Sequence, residues 1–304
     1  MSDNSSTRRI GNISVDLDSL HLYYRIHGID VPEGVPSVYE TGVSRFLDLF
    51  QELDVRATLF VVAEDALRPE NRRILERAVR EGHELASHSY SHPYELIRLD
   101  PEAIQEELRK AEEILQELRG GKPVAGFRAP GYNTSPELLR QLSQRGYRYD
   151  SSFFPCPAYY AAKASILGLY RVIGKPSQSI LGSPGVVLSS RHPHRLREYN
   201  NLLEFPMTVT PLVRFPVIGT SLIGMGQTGW KVAHASLRST PFVQIEFHAI
   251  DMTDHQEDGI DDVLLRQPDQ RVPLREKIET FRRAIQDLKQ SREMDTLENL
   301  SSAY

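Results

Sequence analysis

The sequence predicts an α/β protein built on a parallel sheet, and three observations carry the prediction. Short runs of β-branched and aromatic residues alternate with amphipathic helical patterns, as consecutive βαβ units do. Five clusters of polar residues fall where those runs end. The chain has 304 residues, 40% hydrophobic and 25% charged, enough for one large core.

Taken in order, strands are expected at 12–16, 57–62, 83–87, 124–128, 202–207 and 242–247. Between them, residues 37–53 place Val43, Phe46, Leu47, Leu49, Phe50 and Leu53 on one helical face. Residues 101–119 repeat the pattern through Ile104, Leu108, Ala111, Ile114, Leu115 and Leu118 until Gly120-Gly121 stops it. A helix over 136–146 has Ser135 as its cap, and a last one runs from Pro273 to about 290. The stretch 153–239 is rich in Gly and Pro, poor in charge and weakly periodic. It reads as an irregular apolar insertion into a single domain spanning 11–290, with flexible tails at 1–10 and 291–304.

Composition narrows the function. With 36 basic against 41 acidic side chains the formal net charge is −5, so no broad cationic surface is available and no nucleic-acid partner is expected. Cys156 is the single cysteine and has no partner for an internal disulfide. The first ten residues lack the apolar core of a signal peptide. The longest uncharged stretches, 176–190 and 215–230, fall short of the roughly 18 to 20 apolar residues of a spanning helix. The expected location is the cytoplasm.

The polar clusters supply the chemistry. Asp16 and Asp18 stand two apart at a strand end, where alternation can aim both carboxylates into one cavity. Taken alone, Asp18 reads equally as a turn residue. His88 and His92 are four apart, the spacing at which one helical turn or a compact loop brings two imidazoles to one metal, though such a pair alone is commonly structural. Arg128 can hold a carboxylate bidentately, and Pro130-Gly131 turns the chain beneath Tyr132. Asp150 before two serines and His248 at the end of an apolar run complete the set. In a barrel of parallel strands all such ends open on one face.

Asp16-Leu-Asp18, the 82–92 segment ending His88-Ser-Tyr-Ser-His92, Arg128-Ala-Pro-Gly-Tyr132, Asp150-Ser-Ser and His248 resemble, in order, the motifs of the polysaccharide deacetylases, the family-4 carbohydrate esterases with the NodB homology domain. The resemblance implies a distorted (β/α) barrel of the NodB type and hydrolysis of an N-acyl group, acetyl or formyl, on an aminosugar. It implies a divalent metal held by Asp18, His88 and His92, with Asp16 as general base and Arg128 orienting it. His248 would be the general acid and Asp150 would tune it, while a backbone N–H near Tyr132 would help hold the oxyanion. Zinc is the first choice for such a site, and Fe, Co, Ni or Mn also accept it. Leu17 separates two acids that are more commonly adjacent in the family, the third motif has the extra Gly131, and the interval from Asp150 to His248 is long. With no export signal expected, these departures point to a small soluble or lipid-linked acylated sugar handled inside the cell.

Three readings compete. Two histidines and one carboxylate also make the facial triad of non-haem iron oxygenases. A catalytically silent carbohydrate-binding module would keep the same fold. Gly224-Met-Gly226-Gln-Thr-Gly229 spells a dinucleotide fingerprint, but one placed near the end of the chain and better read as a loop at the barrel mouth. His192 and His194 fit an exposed basic loop. The apolar stretch 205–230 suits core, a homo-oligomer contact, or a peripheral membrane contact that admits a lipid-linked sugar.

Overall fold

The computed structural model describes residues 9–26, 28–32, 34–172, 174 and 180–304. Most of the expected N-terminal tail, 1–8, lies outside them, and Ile10 already opens the first strand. The strands are β1 (Ile10–Asp16), β2 (Thr58–Val61), β3 (Glu84–Ser87), β4 (Gly126–Phe127), β5 (Tyr149–Asp150), β6 (His194–Leu196), β7 (Leu202–Glu204), β8 (Phe242–His248) and β9 (Glu293–Met294). The helices are α1 (Leu20–Ile26), α2 (Ser44–Leu53), α3 (Pro69–Arg80), α4 (Pro101–Leu118), α5 (Pro136–Gln144), α6 (Pro157–Val172), α7 (Gly219–Ser236), α8 (Leu274–Ser291) and α9 (Leu297–Ser301).

One curled sheet runs β6-β7-β5-β4-β3-β2-β1-β8, parallel except for the β6–β7 pair, and β9 adds to β1. Strand alternation sorts it into two environments. On β1 and β8 the residues Ile13, Val15, Val243, Ile245 and Phe247 face outward into the main core under α2, α7 and α8. The opposite face of β1 carries Asn12, Ser14 and Asp16, and that of β8 carries Gln244, Glu246 and His248. Register pairs them one by one across the strands: Asn12 with Gln244, Ser14 with Glu246, Asp16 with His248. All six lie inside the barrel, and only His248 is not fully buried. The five buried ones are cut off from bulk water, so they must satisfy one another or a ligand.

A separate apolar layer that includes Ile10, Phe60, Tyr149, Phe205 and Phe242 fills the lower barrel. Leu297 and Leu300 of α9 join it from below, with Thr296 capping the helix. The Leu297 and Glu298 amides donate to Thr58 Oγ1 and Glu84 Oε2, both at 2.9 Å. The last fourteen residues therefore form the barrel's floor, a correction to the expected flexible tail. The sequence hides this because the burial partners of Leu297 and Leu300 lie far upstream.

The segment 153–239 is corrected too. It contains α6, β6, β7 and α7. The glycine fingerprint lies inside α7, where Gly226 kinks the helix at φ 58°, so it is neither a phosphate loop after a strand nor a loop at the barrel mouth. His194 starts β6, its ring 6.1 Å from that of Phe153, which replaces the expected basic loop. Of the apolar stretch 205–230, Phe205, Met207, Leu222 and Trp230 are core, while Leu212, Val213 and Phe215 are exposed. Helix α3 escapes the apolar pattern because charge dominates it, and of its residues only Asn71, Leu75 and Ala78 are buried.

Candidate active site

The strand ends place the side chains. Asp16 ends β1, and Asp18 follows where the chain turns into α1. His88 leaves β3 into a compact loop rather than a helical turn. Ser89 and His92 there hold positive φ of 66° and 56°, conformations that cost a non-glycine residue about 1–3 kcal/mol. Hydrogen bonds fix that loop. Glu107 of α4 accepts from the Tyr90 and Ser91 amides at 3.1 and 2.9 Å and from Ser91 Oγ at 2.8 Å, and Ser89 Oγ accepts from the His92 amide at 3.0 Å.

The outcome is a tight triad. Asp18 Oδ1 lies 3.3 Å from His88 Nε2 and 3.4 Å from His92 Nε2, and all three residues are buried. His88 Nδ1 is 2.7 Å from the Arg128 carbonyl, so that nitrogen donates and Nε2 presents its lone pair to the triad. Burial opposes ionisation of Asp18, yet His92, His88 and His248 outweigh it and hold its carboxyl well below the usual range. Burial pushes His92 down to about 4, leaving it neutral at physiological pH. Asp18 Oδ1 and both ring nitrogens of His92 are buried without a hydrogen-bond partner. A carboxylate beside two imidazoles, with Asp18 Oδ1 and both His92 nitrogens buried and unpartnered, fits a divalent cation.

Asp16 lies beside the triad, its Oδ2 3.9 Å from His88 Nε2 and otherwise without a partner. Its Oδ1 takes a 2.5 Å hydrogen bond from an Arg128 guanidinium nitrogen. Arg128 is wholly buried and also donates to Ser14 Oγ, Ser151 Oγ and the Ser151 carbonyl, with the Phe60 ring 3.9 Å away. So many partners leave the arginine one orientation, and with it the Asp16 carboxylate.

Opposite Asp16, His248 points Nε2 toward Asp18 Oδ2 at 3.9 Å and toward the Tyr132 hydroxyl at 3.4 Å. Its Nδ1 is 2.9 Å from Glu246 Oε1. Burial alone would lower the His248 pKa, but Glu246, Asp18 and Asp16 raise it well above the ordinary value. The carboxylate beside His248 is therefore Glu246 and not Asp150, a second correction. Asp150 follows the inward-facing Tyr149 on β5, so alternation turns it to the other side, where its Oδ1 accepts from Ser152 Oγ and its register partner is Glu204. Glu246 was visible in the sequence as the i−2 neighbour of His248 on one strand face. The backbone N–H of Tyr132 itself is committed to the Ala129 carbonyl at 2.9 Å, and its phenol faces the site, 3.4 Å from His248 Nε2.

These groups open on a cavity of about 390 Å³ between α1, α6 and the strand ends. A larger one of about 720 Å³ lies across α1 and touches neither histidine of the triad nor His248.

The architecture is that of a NodB-type distorted barrel, with Asp16, Asp18, His88, His92, Arg128, Tyr132 and His248 gathered at one end. Residues 33–149 match the sequence model described as polysaccharide deacetylase. YheN of Bacillus subtilis, assigned as a polysaccharide deacetylase, is 29% identical over 155 residues, 48% of this chain and 53% of its own. The peptidoglycan-N-acetylglucosamine deacetylase of Bacillus cereus is 35% identical over 79 residues, 26% of this chain and 28% of its own. The matches thus span about half or less of these relatives' lengths. Among solved structures, a protein assigned to the polysaccharide deacetylases from Mycobacterium smegmatis shares the fold with a TM-score of 0.64 at 16% identity, covering 100% of this chain and 92% of that one.

Proposed function

We propose that the protein is a divalent-metal-dependent hydrolase that removes an acetyl or formyl group from the nitrogen of an aminosugar or a related linear amide. The observation carrying this reading is the register pairing of Asp16 with His248 across β1 and β8, which sets a carboxylate and an imidazole beside the Asp18-His88-His92 triad. A divalent ion held by those three residues would polarise the acyl oxygen and acidify a water molecule. The free Oδ2 of Asp16 takes the proton of the attacking water while Arg128 keeps Oδ1 engaged. His248, held protonated by Glu246, gives its Nε2 proton to the departing nitrogen, so amide and water become carboxylic acid and amine. An iron oxygenase would use the same triad but leaves Asp16 and His248 without a task. Zinc remains the first choice of metal.

The test is release of acetate or formate from a panel of N-acylated sugars by protein reconstituted with zinc, iron, cobalt, nickel or manganese. Turnover that requires metal and vanishes in Asp16→Asn supports the proposal. Substrate-dependent oxygen consumption without acyl release would replace it with the oxygenase reading, and sugar binding without acyl release would replace it with the silent carbohydrate-binding module.

A further inference from the structure

The cavity has two unlike walls. One carries Asp16, Asp18, His88 and His248; the other is built by Ile26 of α1, Ile218, and Ala162, Ile166 and Leu167 of α6. Helix α6 is unusual for this fold in being rich in apolar residues while not one of its described residues is buried. Ile166 is 53% exposed although it lines the cavity, and Leu169 and Val172 continue its ridge outward at 57% and 84% exposure. Solvent-exposed apolar area running unbroken out of a polar reaction centre is costly to maintain unless something covers it. Tyr23, Tyr94, Tyr132 and Tyr159 also line the cavity, so a sugar ring can sit beside the triad while the apolar side chains of α6 carry on past it. The one ammonium there, Lys163, is engaged 3.1 Å from the Gly131 carbonyl.

We propose that the substrate is an amphiphile whose acylamino group meets the triad while an aliphatic chain, or an equally apolar aglycone, lies along Ile218, Ala162, Ile166 and Leu167 and leaves over Leu169. This rests on the deacylation reading and names its substrate class. The occupant is substrate rather than a separate partner because the ridge and the cavity wall are one surface, joined at Ile166. Each methylene buried against it adds to binding, so recognition should grow steadily with chain length.

The test compares the methyl, butyl and octyl glycosides of N-acetylglucosamine, all below micelle concentrations, in two assays. The first is acetate release by the zinc-loaded protein; the second is calorimetric binding to the metal-free protein. kcat/KM and affinity are expected to rise at least tenfold from methyl to octyl. Ile166→Asp should abolish most of that rise and Ile166→Leu should keep it, which separates a lost surface from a misfolded protein. Chain-length-dependent binding that Ile166→Asp removes, without turnover of any glycoside, upholds the apolar site and defeats the deacylation reading. Turnover of all three glycosides at equal kcat/KM overturns the apolar site and leaves deacylation standing. A dimer that Ile166→Asp converts to monomer, with no chain-length dependence, also overturns it by making α6 a contact between copies.

Discussion

His248 Nδ1 and Glu246 Oε1 stand 2.9 Å apart on one face of β8, two residues from each other in the chain. Strand alternation makes this pair local, and the parallel register with β1 then sets Ser14 and Asp16 beside them. Arg128 ties Ser14 to Asp16 from a third direction. Two neighbouring strands thus carry a carboxylate and an imidazole, each beside its own buried ionic partner.

The pair yields the first prediction. Glu246→Gln keeps the shape of the strand but removes the charge that holds His248 oriented and protonated. Turnover in the proposed reaction should fall by roughly 10²-fold while KM stays within about threefold. A variant with unaltered kcat would show that His248 acts without Glu246.

Asp16→Asn separates catalysis from metal binding. Because Asp16 stands outside the triad, the variant should bind one metal ion per chain, as measured by elemental analysis, yet lose about 10²–10⁴ in kcat. Loss of the metal would instead move Asp16 into the ligand set.

His92→Ala addresses the triad directly. Outer hydrogen-bond partners of metal ligands are worth roughly 10–100-fold in affinity, and loss of a ligand should exceed that. Competition with a fluorescent chelator reads it. Chelation of the wild-type metal should also lower the melting temperature, because the cation binds the folded state alone.

Deletion of residues 292–304 removes β9 and α9. It strips Leu297 and Leu300 from the barrel floor and exposes Glu84. Burial of the two leucines alone is worth about 3–6 kcal/mol, so the shortened chain should melt far below the full one or fail to fold. A deletion variant with the wild-type midpoint in guanidinium would return the segment to the status of a tail.

The Asp150–Glu204 pair makes stability depend on pH. Burial raises Asp150 to about 6, and burial together with Asp150 raises Glu204 well above the usual range. In the unfolded chain both carboxyls ionise near 4, so from about pH 4 upward the folded state holds protons that the unfolded state has lost, Asp150 releasing its own near 6 and Glu204 later. By linkage, this pair's contribution to stability falls as pH rises from about 4 until Glu204 ionises in the folded protein, and stays low above that. Glu204→Gln removes one titrating group and should gain on the wild type by more than about 1 kcal/mol between roughly pH 4.5 and 7.5, read from guanidinium unfolding curves. A constant difference would mean that the pair ionises freely in the folded protein.

Six of the strands and four helices were legible from local signals, while the triad was read from the resemblance of ordered motifs. Apolar alternation marks β1 and β8, Ser135 and the apolar spacing mark α5, and Asp18 and His88 each follow a strand pattern. What escaped was non-local. That Asp150 turns away from His248 follows from the facing of β5 in the closed barrel, where its register partner is Glu204. Leu297 and Leu300 look like two apolar residues in a polar tail until the open floor of the barrel is in place.

By itself the sequence determined which residues stand at strand ends and which of them can bind a metal or move a proton, because side-chain chemistry and the two-residue period of a strand are local properties. The tertiary structure alone decided that Asp150 turns away from His248, the sealing of the floor by α9 and the apolar α6 wall over the cavity. Those depend on contacts between segments tens to hundreds of residues apart, whose pairing is set by the closure of the whole sheet.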